Sequence, residues 1–336
     1  MLNKNNIKLE CKKLTLKFRK PEERKQGLKI LFYGENGSGK SWTALTFPKN
    51  AVVDSESKIG VNESNPRFKD NIVGIADTSN YYDVVELMEQ VLKDPKICKT
   101  FTVDSYTKVY NSVQVSAMEV EEERARKKGG NVDDQTISMR GHGKVKLNVV
   151  RLDDFIAQAS AKGINVIAVA HKEDVKQKSG DNWIKIGEKP DLRKNAEHTF
   201  DVVFRFYKEK DIVTGEYKYC ADVEKDTTNT YKLGTKIENV TYENFKEYIE
   251  RNSKAKIIDS NYDKTIQTNM EGMKKEQEDF ETIVKEFKDL YKRLGDTDPE
   301  NKSKIGKLMK EKCVEKYNDP LMASQLKEVI EKMKKL

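Results

Sequence analysis

Apolar residues along this 336-residue chain recur at two periods, and the changes from one period to the other mark out the predicted elements. Ile7, Leu9 and Cys11, then Leu14, Leu16 and Phe18, alternate with polar residues and change phase once, which predicts a strand with a bulge or two short strands. Pro21 and the charged stretch to Gln26 separate this segment from residues 28–33, a short apolar run that reads as a buried strand. Residues 51–54 and 71–75 predict two more strands. From 81 to 93, Val84, Val85, Leu87, Met88, Val91 and Leu92 fall at helical spacing. Residues 100–104 are again strand-like, helical sequence follows to about Lys128, residues 144–162 are helical, and 164–170 is a strongly apolar strand. Segments 199–207, 217–223 and 231–237 complete the set. Buried strands alternating with helices predict an α/β fold, a mostly parallel sheet with helices on both faces.

Two polar stretches interrupt this pattern. Residues 119–143 hold Glu121, Glu122 and Glu123, then Arg124, Arg126, Lys127 and Lys128, and end in Gly141-His142-Gly143. Residues 172–198 hold Trp183 among Lys176, Lys178, Lys185, Lys189, Arg193 and Lys194. Connections this long inside a compact domain are functional or disordered. After Arg251 the composition shifts to Asn, Ser, Lys and Asp up to about Asn269, which reads as a linker. Beyond it Phe280, Ile283, Val284, Phe287, Leu290, Tyr291 and Leu294 recur at helical spacing, and two shorter amphipathic stretches follow. The expected organisation is a basic strand segment (1–27), an α/β core (28–252), a linker (253–269) and a small helical bundle (270–336). The Asp296-Thr297-Asp298-Pro299 loop lacks the central Gly and the closing Glu of a calcium loop, so calcium is excluded.

Hydrophobic content of 36% against 35% charged gives a modest core and a wet surface. No apolar run approaches the ~20 residues of a membrane span, and no signal-peptide block opens the chain. The four cysteines and three histidines have no metal-binding or redox spacing, which predicts a reduced, cytoplasmic protein. The net charge of +7 has a location: residues 1–29 carry ten Lys/Arg against three Glu, so the remainder is balanced. Lys12, Lys13, Arg19 and Lys20 are therefore candidate contacts for nucleic-acid phosphate. A lysine-protected edge strand is the other reading.

The chemistry concentrates in Gly34-Glu35-Asn36-Gly37-Ser38-Gly39-Lys40-Ser41, which fits the phosphate-binding loop G-x-x-x-x-G-K-[ST]. The preceding strand and the helix opening at Trp42 aim backbone N–H groups and a helix N-terminus at an anion. Lys40 would reach the β- and γ-phosphates of ATP, Ser41 would hold Mg²⁺, and Trp42 lies beside the nucleotide. A Gly/Ser surface turn is the bland alternative. Asp104 ends a buried strand and would orient Mg²⁺ through its water shell, or else cap the following helix. Of Asp54 and Glu56 at the end of the second strand, Glu56 is the candidate for polarising the attacking water, with Asp54 as a strand-end cap. His171 ends the apolar strand 164–170, where it can contact the γ-phosphate and report nucleotide state to residues 172–198, or simply be satisfied at the sheet edge.

The succession of a basic strand, G-E-N-G-S-G-K-S, V-V-D-S-E, F-T-V-D-S, V-I-A-V-A-H, and P-D-L before F-D-V-V-F-R-F resembles the RecA-fold ATPases of bacteriophages and prophages. Their best-studied branch is the Sak-type single-strand annealing recombinases. The resemblance covers about residues 25–250. It implies that another strand separates the strand before Lys40 from that of Asp104. It also implies that Glu56 activates water and that segments 119–143 and 172–198 line a central DNA path. Such proteins carry Gln or Asn where His171 stands. The bundle lies outside the match.

Together these features predict a RecA-like P-loop ATPase using ATP and Mg²⁺, binding single-stranded DNA in recombination or annealing as a ring or filament of identical subunits. Arg126, Lys127, Lys128, Trp183 and Lys185 are candidate nucleic-acid contacts, and basic side chains with an aromatic stacking platform suit single strands. Arg193 or Lys194 would complete a neighbour's active site. The bundle is a candidate contact for a single-strand-binding or replication protein. The rival readings are a P-loop kinase acting on a small metabolite and a non-hydrolysing switch that recruits replication proteins.

Overall fold

The computed structural model describes residues 20–180, 182–251, 254–257 and 265–336. The predicted strand within 1–19, with Lys12, Lys13 and Arg19, lies outside the described residues, as do residues 253 and 258–264 of the predicted linker, while its residues 265–269 are helical. The chain divides into two compact units, Met1–Ser260 and Asn261–Leu336.

The first unit is built on a nine-stranded sheet: β1 (Lys29–Gly34), β2 (Asn50–Asp54), β3 (Ile72–Asp77), β4 (Thr100–Asp104), β5 (Asn165–Ser179), β6 (Asn182–Pro190), β7 (Val202–Lys210), β8 (Tyr217–Asp226) and β9 (Lys236–Glu238). The order is β3-β2-β4-β5-β1-β7-β8-β9, with β6 paired to β5 alone. Strands from β3 to β7 run parallel, while β8, β9 and β6 add antiparallel pairs. β5 therefore separates β1 from β4, the RecA-like order that the motif succession implied.

Alternation along β1 shows why both faces are covered. Leu31 and Tyr33 point into a core with α2 (Tyr81–Lys93), α3 (Tyr106–Lys127) and α4 (Met139–Ala161). Ile30 and Phe32 point into the opposite core, beneath α1 (Lys40–Leu45) and α5 (Glu243–Arg251). Phe32 there meets Phe47, Phe204, Phe206 and Phe245 at centroid distances of 5.1–6.5 Å. These packed aromatics fix the strand that ends in the phosphate loop.

The two polar stretches fold more completely than a loop reading suggests. Residues 119–127 continue α3, held by Arg126–Glu122 and Lys127–Glu123 pairs one turn apart. The helix ends where the sequence placed its end, near Lys128, and the glutamates and basic residues of the polar stretch are its paired surface. Residues 172–179 and 182–190 pair as a long hairpin: β5 runs on past its buried half and β6 returns along it, with a bulge between Val175 and Lys176. Both faces of this extension are wet, so its sequence lacks the apolar alternation of a half-buried strand.

The second unit packs α6 (Thr265–Thr297), α7 (Glu300–Glu311) and α8 (Ala323–Met333) around Ile283, Phe287, Leu290, Ile305, Leu326, Val329, Ile330 and Met333. Phe287 stacks on Tyr291 and Tyr317. Each unit thus buries its own apolar residues. Phe287→Ala should cost the bundle roughly 3–5 kcal/mol. In thermal unfolding it should lower or abolish the bundle's transition and leave that of the sheet domain at its wild-type midpoint.

Candidate nucleotide-binding site

The C-terminal ends of β1, β2, β4 and β5 open on a cleft of about 1200 Å³. β1 delivers Gly34, whose φ of +142° and close approach to β7 admit no side chain: a Cβ would stand 1.9 Å from the Phe206 carbonyl oxygen. Gly39 caps α1 in the left-handed region at φ 95°. Between them the loop wraps the cleft with Glu35, Asn36, Gly37 and Ser38, and the Ser38 hydroxyl donates to the Glu35 carbonyl at 2.7 Å. Lys40 is buried, and its Nζ donates to the carbonyl oxygens of Gly34 at 3.1 Å and Glu35 at 2.5 Å. Burial pulls its pKa down to about 8, against the nearby carboxylate of Asp104.

Asp104 ends β4 with only 8% of its surface exposed. Burial pushes its carboxyl up to about 6, opposed by a hydrogen bond with the Ser41 side chain. Its Oδ2 is buried without a hydrogen-bond partner. A buried carboxylate oxygen left unmatched beside a hydroxyl suits a hard cation that takes oxygen ligands and keeps part of its water shell. Ser41 and Asp104 therefore fit Mg²⁺, and no cluster of three or more His, Cys, Asp or Glu exists among the described residues to suggest another metal.

The ends of β2 and β4 are tied together: the Ser55 backbone N–H donates to the Asp104 carbonyl at 2.7 Å, and the Ser55 hydroxyl accepts from the Ser105 N–H at 2.7 Å. Asp54 is buried and accepts from the backbone N–H groups of Glu56 at 3.1 Å and Ile59 at 2.6 Å, so it holds a turn. Glu56 faces the cleft. Its Oε1 lies 2.9 Å from His171 Nε2 and accepts from the Ser105 hydroxyl at 3.1 Å, and its Oε2 lies 2.6 Å from Lys58 Nζ. Burial works to raise the Glu56 carboxyl, but Lys58, His171 and Ser105 together hold it below the usual carboxylate range. Trp42 is half exposed on the cleft wall, edge-on to Phe68, with the Arg67 guanidinium 5.4 Å over its ring.

The structure thus brings residues 34–42, Glu56, Asp104 and His171 into one cleft. Those of the proposed nucleic-acid and neighbour-directed residues that are described lie outside its lining. Arg126 and Lys127 sit in the last turn of α3 in their glutamate pairs, and Lys128 caps that helix. Trp183 is 66% exposed on the hairpin, while Lys185 pairs with Asp174 at 2.8 Å and Glu188 at 2.7 Å. Arg193 is bound to Asp153 of α4 within its own chain, whereas Lys194 is exposed. Lys20 lies outside the cleft lining as well.

Several cleft residues escape sequence reading: Lys58, Arg67, Lys172, Tyr219 and Asn239. Lys58 had a signal, a position two residues from Glu56 beyond a strand end. Tyr219 and Asn239 had none, because only the closure of β8 and β9 brings them beside α1. Lys172 bridges Glu35 of the loop, at 3.3 Å, and Glu188 of the hairpin. Burial works to raise Glu188, but Lys172, Lys185 and Arg205 hold it at about 2.

The profile of an AAA domain family (AAA_24) matches residues 26–236, more than half of the chain. The chain belongs to this family. The match spans the phosphate loop, Glu56, Asp104, His171 and the hairpin, and ends within β9. Among solved structures, a KaiC-like protein from the hyperthermophilic archaeon Pyrococcus horikoshii OT3 is similar at 14% identity and a TM-score of 0.38, covering 63% of this chain and 85% of that one. RadB recombinase is similar at 15% identity and a TM-score of 0.40, covering 64% and 87%. No curated protein matches. The family, the strand order and the loop make the chain a RecA-fold P-loop protein.

Asp104→Asn keeps the shape of the buried side chain and removes the charge that faces the cation. The Mg²⁺ concentration needed for half-maximal binding of a fluorescent ATP analogue should rise by roughly tenfold or more.

Proposed function

We propose that the protein is a Mg²⁺-dependent ATPase that binds single-stranded DNA and acts as a homo-oligomer in phage-type recombination or strand annealing. The observation that carries the ATPase part is the convergence of Lys40, the Ser41–Asp104 pair and Glu56 on one cleft. Backbone N–H groups and Lys40 would bind the phosphates, and Ser41 and Asp104 would hold the metal, which supplies charge neutralisation on the phosphate oxygens. Glu56 would take a proton from the attacking water. His171, 2.9 Å from Glu56 and at the start of the hairpin's protruding half, would couple the nucleotide to that hairpin.

Two features support the DNA part. On the hairpin, Trp183 stands opposite Lys178 and Lys185 opposite Lys176, so the indole and three ammonium groups share one face. A base can stack on the indole while the lysines follow the backbone. At the hairpin's foot, Lys172 links Glu188 to Glu35 of the phosphate loop. For a neighbour's active site the geometry favours Lys194 over Arg193, whose guanidinium Asp153 already holds.

Turnover of ATP with and without single-stranded DNA, at two salt concentrations, tests this reading. Wild type should be stimulated by DNA, less so at high salt, and Trp183→Ala should lose the stimulation. Glu56→Gln should keep ATP binding and lose roughly 100-fold or more in turnover. Tight binding with negligible turnover under every condition would favour the nucleotide switch, and phosphoryl transfer to a metabolite in place of water would favour the kinase.

A further inference from the structure

Beyond β2 the chain makes one tight turn whose construction places two opposite charges side by side. The Asp54 carboxylate clamps it through the N–H groups of Glu56 and Ile59. Ser57 takes a positive φ of 54°, and Ile59 is anchored in an apolar cluster with Leu45, Val52 and Phe68. Glu56 and Lys58 are thereby both turned into the cleft, with Lys58 Nζ 2.6 Å from Glu56 Oε2.

The partners differ in freedom. The Glu56 side chain is 14% exposed and is also tied to His171 and Ser105, whereas Lys58 is 59% exposed and tied only to Glu56 among the described contacts. An ion pair this exposed is loosely held, and a lysine head moves easily on its four-carbon stem. Lys58 also shares the cleft with Lys40, and its charge acts on that ammonium. Two cations facing one space repel each other. A polyanion placed between them removes that repulsion and competes with Glu56 for Lys58.

We propose that Lys58 is a second phosphate-binding lysine, supplied by the same subunit, which exchanges Glu56 for the terminal phosphate of a bound nucleoside triphosphate. In leaving, it uncovers the Glu56 oxygen that it caps. A diphosphate has no group to draw Lys58 away, so the pair stays closed. The proposal rests on reading the cleft as a triphosphate site.

Calorimetric titration of the full-length protein with ATPγS and with ADP, both with Mg²⁺, tests it. Lys58→Ala should weaken ATPγS by about tenfold or more and ADP by less than about twofold. Glu56→Gln keeps the shape but removes the competing charge, so it should strengthen ATPγS severalfold relative to ADP. In the double variant that gain should vanish, which makes the two changes non-additive. Equal weakening of both nucleotides by Lys58→Ala, no weakening of either, or a Glu56→Gln gain that survives without Lys58 overturns the exchange. Wild type binding neither nucleotide overturns the reading of the cleft, and the exchange with it; binding of both with no Lys58 dependence overturns the exchange alone.

Discussion

Lys40 and Asp104 carry opposite charges into a place from which the sheet excludes most water. Burial drags the ammonium down to about 8 and pushes the carboxyl up to about 6, so each is held in its site at a cost. Neither is well compensated by the other: Lys40 bonds to carbonyl oxygens of its own loop, and one Asp104 oxygen has no partner. A metal–triphosphate complex would supply what both lack, anionic oxygen for the lysine and a cation for the aspartate. The rest of the fold serves this arrangement. β5 holds the strands of the two residues one strand apart, the aromatic cluster around Phe32 fixes the strand that leads into the loop, and the contact of Gly34 with Phe206 sets the loop's height above the sheet.

The site's second layer works by hydrogen bonds rather than apolar packing. Ser55 stitches β2 to β4, Asp54 fixes the turn that carries Glu56 and Lys58, and Ser105 touches Glu56 directly. On the other flank Lys172, Glu188, Arg205 and Asp222 form a connected set of ion pairs from the phosphate loop across the foot of the hairpin. A change at the loop therefore has a physical route to the hairpin through Lys172. No helix of the described residues is long and apolar enough to cross a membrane.

Much of this was legible in the sequence, for identifiable reasons. Glycine spacing plus Lys40 and Ser41 is a pattern that backbone wrapping of an anion demands, and Asp104 stood out because a carboxylate ends a buried strand. The preference for Glu56 over Asp54 as the cleft-facing carboxylate followed from strand-end capping, and the geometry shows Asp54 bonded to two backbone N–H groups. The hairpin was not legible, because strands wet on both faces carry no apolar alternation. The end of α3 was legible near Lys128, and the charges that also count as a polar stretch are that helix's surface, with Glu122 and Arg126 one turn apart. Tyr219 and Asn239 reach the cleft only through antiparallel pairing at the far side of the sheet, a long-range closure that local pattern cannot express.

If the cleft is a metal–triphosphate site, its affinity depends on Lys40. Calorimetric binding of Mg²⁺-ATP to wild type and to Lys40→Ala tests it most directly, with circular dichroism to confirm that both are folded. Wild type should show one Mg²⁺-dependent site, and the variant should lose roughly 100-fold or more in affinity. Equal affinity in the two folded proteins would contradict it.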